Sequence, residues 1–184
     1  MIYPIVVYGS PVLRKVAGEI DRNYPDLNQL LADMYETMYK ADGMGLAAPQ
    51  IGKSIRIFIV DATSLADEDE SLMDFKKVFI NPIILDYDGD TEVMNEGCLS
   101  LPKLREDVDR RNKIRIRYYD ENWELKDETY EGLKARIIQH EYDHLEGVLF
   151  IDLISPLRRK LIKGKLNDIS KCKVDVHYKI KLQK

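Results

Sequence analysis

His140-Glu141-Tyr142-Asp143-His144 places two imidazoles four residues apart, with a carboxylate directly after the first. On an α-helix, residues at i and i+4 stack on one face, so both rings reach a single metal ion. Glu141 then leans toward a water at that ion without binding the ion itself, which is the position of a general base. The pattern works only on a helix. Leu133 and Ile137 share the histidine face, no proline interrupts and Gly147 follows, so a helix is expected from about Glu131 to Leu145. Two of the chain's three histidines fall in this pattern, which favours a metal site over two unrelated structural histidines.

Two ligands hold a divalent ion poorly, so a third is needed. A third histidine six residues after the second is missing, because that position is Phe150. A carboxylate on a following helix leaves Asp168, near the end of a basic segment. The better candidate is Cys98 in Asn95-Glu96-Gly97-Cys98-Leu99-Ser100, read as a loop ending at Leu101-Pro102. Thiolate plus two imidazoles with one open position is a catalytic geometry, although a lone cysteine is more often a small buried hydrophobe. A closed structural zinc site would need a fourth ligand, for which His177 is the spare histidine. A third segment, Gly43-Met44-Gly45-Leu46-Ala47-Ala48-Pro49-Gln50, suits a tight wall with an amide at its end, or simply a close-packed helix stop. Gly52-Lys53-Ser54 imitates a phosphate loop, but Pro49 interrupts it and a strand follows where a helix is required.

These segments need elements to position them. Leu27, Leu30, Leu31, Met34, Tyr35 and Met38 form one apolar stripe after Pro25, with Asp26 and Gln29 as an expected capping pair and Asp42-Gly43 as the stop. Ile57–Asp61 and Val78–Leu85 read as strands around an acidic loop, Asp67–Glu70. Lys113–Tyr119 alternates Ile114, Ile116 and Tyr118 against Arg115 and Arg117, and a turn at Asp120–Asn122 returns it as a hairpin to Tyr130. A further helix begins at Ser155-Pro156, and Cys172–Leu182 alternates weakly as an edge strand. Strands returning by hairpins with few helices predict an α+β fold: antiparallel sheets packed around a central metal-binding helix, with a C-terminal helix.

The 184 residues, 45% apolar and 33% charged, predict one domain over 1–184 and exclude a disordered or collagen-like chain. No apolar run reaches the ~18 residues of a membrane span, the start lacks a signal-peptide pattern, and two cysteines, Cys98 and Cys172, make no disulfide framework. A cytoplasmic location is expected. From Pro156 onward 10 Lys+Arg face 2 Asp+Glu, so residues 156–184 carry +8 and the preceding residues −12 of the net −4. Such a tail either docks on nucleic acid or an acidic partner, or is a solvated face.

Taken together, Gly43-x-Gly45-Leu46-Ala47-Ala48-x-Gln50, Glu96-Gly97-Cys98-Leu99-Ser100 and His140-Glu141-x-x-His144 resemble, in order and spacing, the three motifs of the peptide deformylase family, over about residues 5 to 165. The resemblance implies a hydrolase that removes the formyl group from the N-terminal formyl-methionine of nascent polypeptides and releases formate. It implies Cys98, His140 and His144 as metal ligands with water in the fourth position, Glu141 as base, and the Gln50 amide with the Leu99 N–H as oxyanion donors. Gly43, Gly45 and the alanine pair would form the wall around the formyl group. Met44, Leu133, Ile137 and His140 would line the methionine pocket, with Arg136 at its rim, where relatives often carry an apolar residue. Arg105 would contact the peptide backbone, Arg110 would pair with Asp143, and Glu96 would steady the ligand loop. The ion implied is Fe2+, with Zn2+, Ni2+ or Co2+ as alternatives. A monomer is expected, with the basic C-terminal segment approaching the ribosome, no membrane partner, and Cys172 and His177 as surface residues without function.

Overall fold

The computed structural model describes Met1–Lys184 throughout. Seven strands and four α-helices follow the chain as β1 (Ile5–Val6), α1 (Leu27–Lys40), β2 (Gly45–Ala47), β3 (Ile57–Asp61), β4 (Lys76–Cys98), β5 (Leu101–Tyr119), β6 (Leu125–Glu131), α2 (Gly132–Leu145), α3 (Pro156–Leu161), α4 (Lys163–Ile169) and β7 (Ile180–Lys181). One antiparallel sheet runs β2-β3-β4-β5-β6, and β1 pairs with β7 in a small parallel one. This is the expected α+β arrangement. The weakly alternating tail contributes two residues of strand, on a parallel partner.

The apolar patterns explain which face goes where. Ile57, Phe58, Ile59 and Val60 of β3 are all fully buried, because the sheet is covered on both sides. Ile57 and Ile59 pack with Leu30, Leu31, Met34 and Met38 of α1. Phe58 and Val60 pack with Ala135, Ile138 and Leu145 of α2. On β5, Ile114, Ile116 and Tyr118 are buried while Arg115 and Arg117 face solvent, as their alternation predicts. Phe79 is the keystone of this layer, with its ring centroid 4.5 Å from Phe58 and 4.3 Å from Tyr118.

β4 and β5 are much longer than the apolar runs suggest. Register shifts between Ile80 and Ile83, Ile84 and Asp86, and Asp88 and Thr91 bend this ribbon, since each irregularity increases local twist. The ribbon therefore curls around α2 rather than extending away from it. Gln139 Nε2 on the helix donates to the Arg111 carbonyl (2.9 Å), and Arg136 Nη1 donates to that of Val108 (2.9 Å).

Several local expectations are corrected. Asp26 does not cap α1: it sits in the left-handed region at φ 53°, and Gln29 Nε2 instead donates to Asp33 Oδ1 at 2.8 Å. At the other end Asp42 (φ 54°) makes the left-handed turn, not Gly43. Asn95–Cys98 is the end of β4 rather than a loop, and Leu101-Pro102 opens β5. Ser155 does cap a helix, its Oγ accepting from the Arg158 N–H at 3.3 Å, but that helix breaks at Ile162 into α3 and α4.

Replacing Phe79 by alanine leaves a void where three aromatic rings meet. Chemical denaturation is expected to show a loss of about 3–5 kcal/mol; a loss below about 1 kcal/mol would show that the stack is not central to the core.

Candidate metal centre and active site

The i, i+4 spacing on α2 does bring the two imidazoles together, with ring centroids 5.2 Å apart. The turn joining β4 to β5 places Cys98 Sγ 3.3 Å from His144 Nε2. The ligand atoms of Cys98, His140 and His144 all lie within 4.8 Å of one another. Asp168 is exposed on α4 and does not join them. Nor does His177, which sits 3.1 Å from the Asp42 carboxylate at the surface.

Glu96 sets the orientation of His140. The ring's Nδ1–H donates to Glu96 Oε2 at 2.9 Å, which turns the other nitrogen toward the cluster. Glu96 is itself gripped by Arg110, through Nε to Oε1 (2.7 Å) and Nη2 to Oε2 (3.1 Å). Burial alone would raise the Glu96 pKa, but the bonds from His140 and Arg110 override it and hold the carboxyl well below its ordinary value. Arg110 Nη1 also reaches Asp143 Oδ2 at 2.7 Å, as expected. Arg136 lines the cleft, as expected, and is anchored beneath it. It is buried, and Nη1 donates to Glu96 Oε1 at 2.9 Å while Nη2 donates to the Glu92 carbonyl at 2.6 Å. A guanidinium near an apolar pocket must satisfy its donors, and the curled ribbon supplies the acceptors.

The two histidines titrate apart. Burial favours neutral imidazoles, yet Cys98 and Glu96 beside His140 raise its pKa well above the usual histidine value. His144 is pushed well below it by burial and by His140. Burial pushes Glu141 up to about 7, and its Oε2 is buried without a hydrogen-bond partner. The other side of that carboxylate lies against Gly45, where a β-carbon would overlap it. A thiolate and two imidazoles beside such an orphaned carboxylate oxygen suit one divalent ion of the zinc or ferrous class with water near it.

Gln50 is fully buried and fixed: its Oε1 accepts from the Ala47 N–H (2.8 Å), and its Nε2 donates to Ser100 Oγ (3.3 Å) and Cys98 Sγ (3.6 Å). A β-carbon on Gly43 would come within 2.9 Å of the Leu99 side chain, which would have to shift. A cleft of about 450 Å³ opens over the cluster, and Met44, Leu133, Ile137 and Arg105 line it. Arg105 is exposed and held by Asn95, donating from Nε to Oδ1 at 2.8 Å and from Nη2 to the carbonyl at 2.9 Å. Tyr178, from the tail, also lines the cleft; the sequence gives no sign of this, since only a weak alternation marks its segment.

The family model for polypeptide deformylase matches residues 2–160. A peptide deformylase of Christiangramia forsetii is 53% identical over 98% of this chain and 96% of its own length. Its counterpart in Flavobacterium psychrophilum is 52% identical over 99% and 97%. Among solved structures, a peptide deformylase from Legionella pneumophila superposes with a TM-score of 0.82 at 36% identity, covering 94% of this chain and 98% of that one. One from Synechococcus elongatus in complex with actinonin gives 0.77 at 38% identity, covering 93% and 87%. The chain belongs to the peptide deformylase family, metal-dependent enzymes that remove the N-terminal formyl group from formyl-methionyl peptides.

Proposed function

We propose that Cys98, His140 and His144 hold the ion of this deformylase and that Glu141 carries the proton of the reaction. The observation that carries the reading is the meeting of one sulfur and two imidazole nitrogens within 4.8 Å. A buried Glu141 carboxylate oxygen without a partner stands beside them. When bound, the ion supplies Lewis acidity and lowers the pKa of water at the site. Glu141 takes a proton from the attacking water and returns it to the departing amine nitrogen, so that formate and a free N-terminus result. With a pKa near 7 from burial, its carboxyl is suited to accept and to release that proton near neutrality. The Gln50 amide and the Leu99 N–H stabilise the developing oxyanion, each worth about 3 kcal/mol.

A side chain at Gly43 or Gly45 would press on Leu99 or on the Glu141 carboxylate, and a wall packed this closely favours formyl over larger acyl groups. Met44, Leu133 and Ile137 receive the methionine side chain, and Arg105 with Asn95 faces the extended peptide. Residues 1–184 act as one catalytic domain and as a monomer in the cytoplasm. No helix is long and apolar enough to cross a membrane. Arg158 and Arg159 of α3 are engaged by Glu106 and Asp152, whereas Lys160, Lys163, Lys165, Lys171 and Lys173 are exposed and give the segment a cationic face for approaching the ribosome. Fe2+ is the native ion; Zn2+, Ni2+ or Co2+ can replace it.

Three outcomes test these roles. Glu141→Gln should keep its metal and lose roughly 10²–10⁴-fold in formate release; near-normal turnover would remove Glu141 from its role. In protein purified without oxygen, Cys98→Ala should lose bound iron while Asp168→Ala keeps both iron and activity. The reverse pattern would place the third ligand on α4. Gly45→Ala should lower kcat at least tenfold with little change in thermal midpoint, because its methyl displaces Glu141; unchanged kcat would show that the carboxylate has room to move.

A further inference from the structure

We propose that Tyr178, carried by the C-terminal tail, is a positioning residue that fixes the Leu99 peptide for its part in deformylation. The inference rests on the proposed role of the Leu99 N–H as an oxyanion donor. Tyr178 lies beyond the residues 2–160 that match the family model, so the tail adds it to the site.

The turn that needs fixing is the one joining β4 to β5. Cys98 pairs with Leu101, leaving Leu99 and Ser100 as its two central residues. Two-residue hairpin loops favour turns with positive φ, because that backbone twist matches the strands on either side. Neither Leu99 nor Ser100 has positive φ. The register then jumps, with Gly97 opposite Arg105, and Lys103 in the intervening segment takes φ 60°. A turn without matching strand geometry depends on contacts from outside. Ser100 has two: its carbonyl accepts from the Tyr8 N–H at 2.9 Å, and its hydroxyl accepts from Gln50 at 3.3 Å. Leu99 has one. The Tyr178 hydroxyl donates to the Leu99 carbonyl at 2.9 Å; this holds the Leu99–Ser100 peptide plane, and fixing that plane limits how far Leu99, whose own N–H lies in the preceding plane, can turn.

The tail delivers this hydroxyl in a fixed register. Backbone bonds from the Ile5 N–H to the Lys179 carbonyl (2.8 Å) and from the Val7 N–H to the Lys181 carbonyl (3.0 Å) bracket the β1–β7 pair just after Tyr178. Further on, the Gln183 N–H donates to Ser10 Oγ (2.9 Å) and Gln183 Nε2 donates to the Gly52 carbonyl (3.4 Å). The half-buried ring packs against the core cluster of α1 and β3, with Leu99 also against it, and borders the cleft. Its position is therefore set by packing, and its hydroxyl is left to act on one acceptor.

Steady-state kinetics on a formyl-methionyl peptide test this with the full-length, metal-loaded protein. Tyr178→Phe keeps the ring and removes one hydrogen bond, so kcat should fall roughly five- to tenfold. KM should change less than about twofold, with metal content and thermal midpoint as in the wild type, because the bond acts on transition-state alignment. Unchanged kcat in Tyr178→Phe overturns the inference, as does a fall accompanied by lost metal or a lower midpoint. A wild-type protein that releases no formate overturns this inference together with the proposed function, whereas an active wild type beside an equally active Tyr178→Phe overturns this inference alone.

Discussion

A carboxylate shielded from water has to find its partners inside the protein, and Glu96 finds three. Arg110 and Arg136 bind it from β5 and α2, and His140 donates to it from the metal-binding face of that helix. Desolvating such a group costs several kcal/mol, and its ion pairs recover this only when geometry and hydrogen bonds are complete. Glu96 meets that condition with both oxygens doubly engaged. A network of this kind adds little net stability, but removing one member strands the others, so its members stay in register. The result is positional: the ribbon carrying Cys98 and the helix carrying both histidines are tied at a point two residues from the sulfur.

The same constraint explains why a helix with so much polar character lies at the centre. Arg136, Gln139 and Glu141 are all buried on α2, where an apolar residue would be ordinary. The curled ribbon makes this tolerable by offering backbone carbonyls from Glu92, Val108 and Arg111 to the two longer side chains. On the outer halves of β4 and β5 each strand has one sheet neighbour, since β3 pairs with β4 only as far as Ile80 and β6 with β5 only from Lys113. Their outward carbonyls are therefore free of the ladder, and the bends in the ribbon bring them within reach. Curvature and polar satisfaction are one feature of the fold.

That coupling sets what is legible in the sequence. The histidine helix, its limits at about Glu131 and Leu145, and the alternation of Lys113–Tyr119 can be read because each depends on neighbours a few residues apart. The outer halves of β4 and β5 cannot. The β4 residues from Asp86 to Met94 are mostly polar or exposed, and nothing local announces a strand whose partner is its own hairpin mate. Glu106 and Arg110 obscure the alternation further, because they are charged residues on the buried face, paired with Arg158 and with Glu96 and Asp143. The anchoring of Arg136 is hidden for the same reason: its acceptors lie 28 to 44 residues away in sequence. Asp26 looks like a helix cap, but the left-handed backbone there sends the chain into α1 by another route. Tyr178 carries no local signal at all, since its hydroxyl meets Leu99 across 79 residues.

The two histidines show how one helix makes unlike ligands from like residues. Metal ligation requires imidazoles that are free to give up a proton. His144 is kept neutral by burial and by the charge of its neighbours, and its Nδ1 has no protein partner. Packing orients it, together with the Cys98 sulfur 3.3 Å from its Nε2. His140 sits one turn earlier, where the helix passes Glu96, and it gains a directed hydrogen bond together with a tendency to hold its proton. To hold an ion, His140 would have to be neutral, with its Nδ1 hydrogen kept toward Glu96 and the opposite nitrogen free. Two residues that the sequence presents as equivalent thus stand in unequal surroundings. Glu141, between them in the chain but pressed against Gly45, is left as the one carboxylate at the site with an oxygen uncommitted.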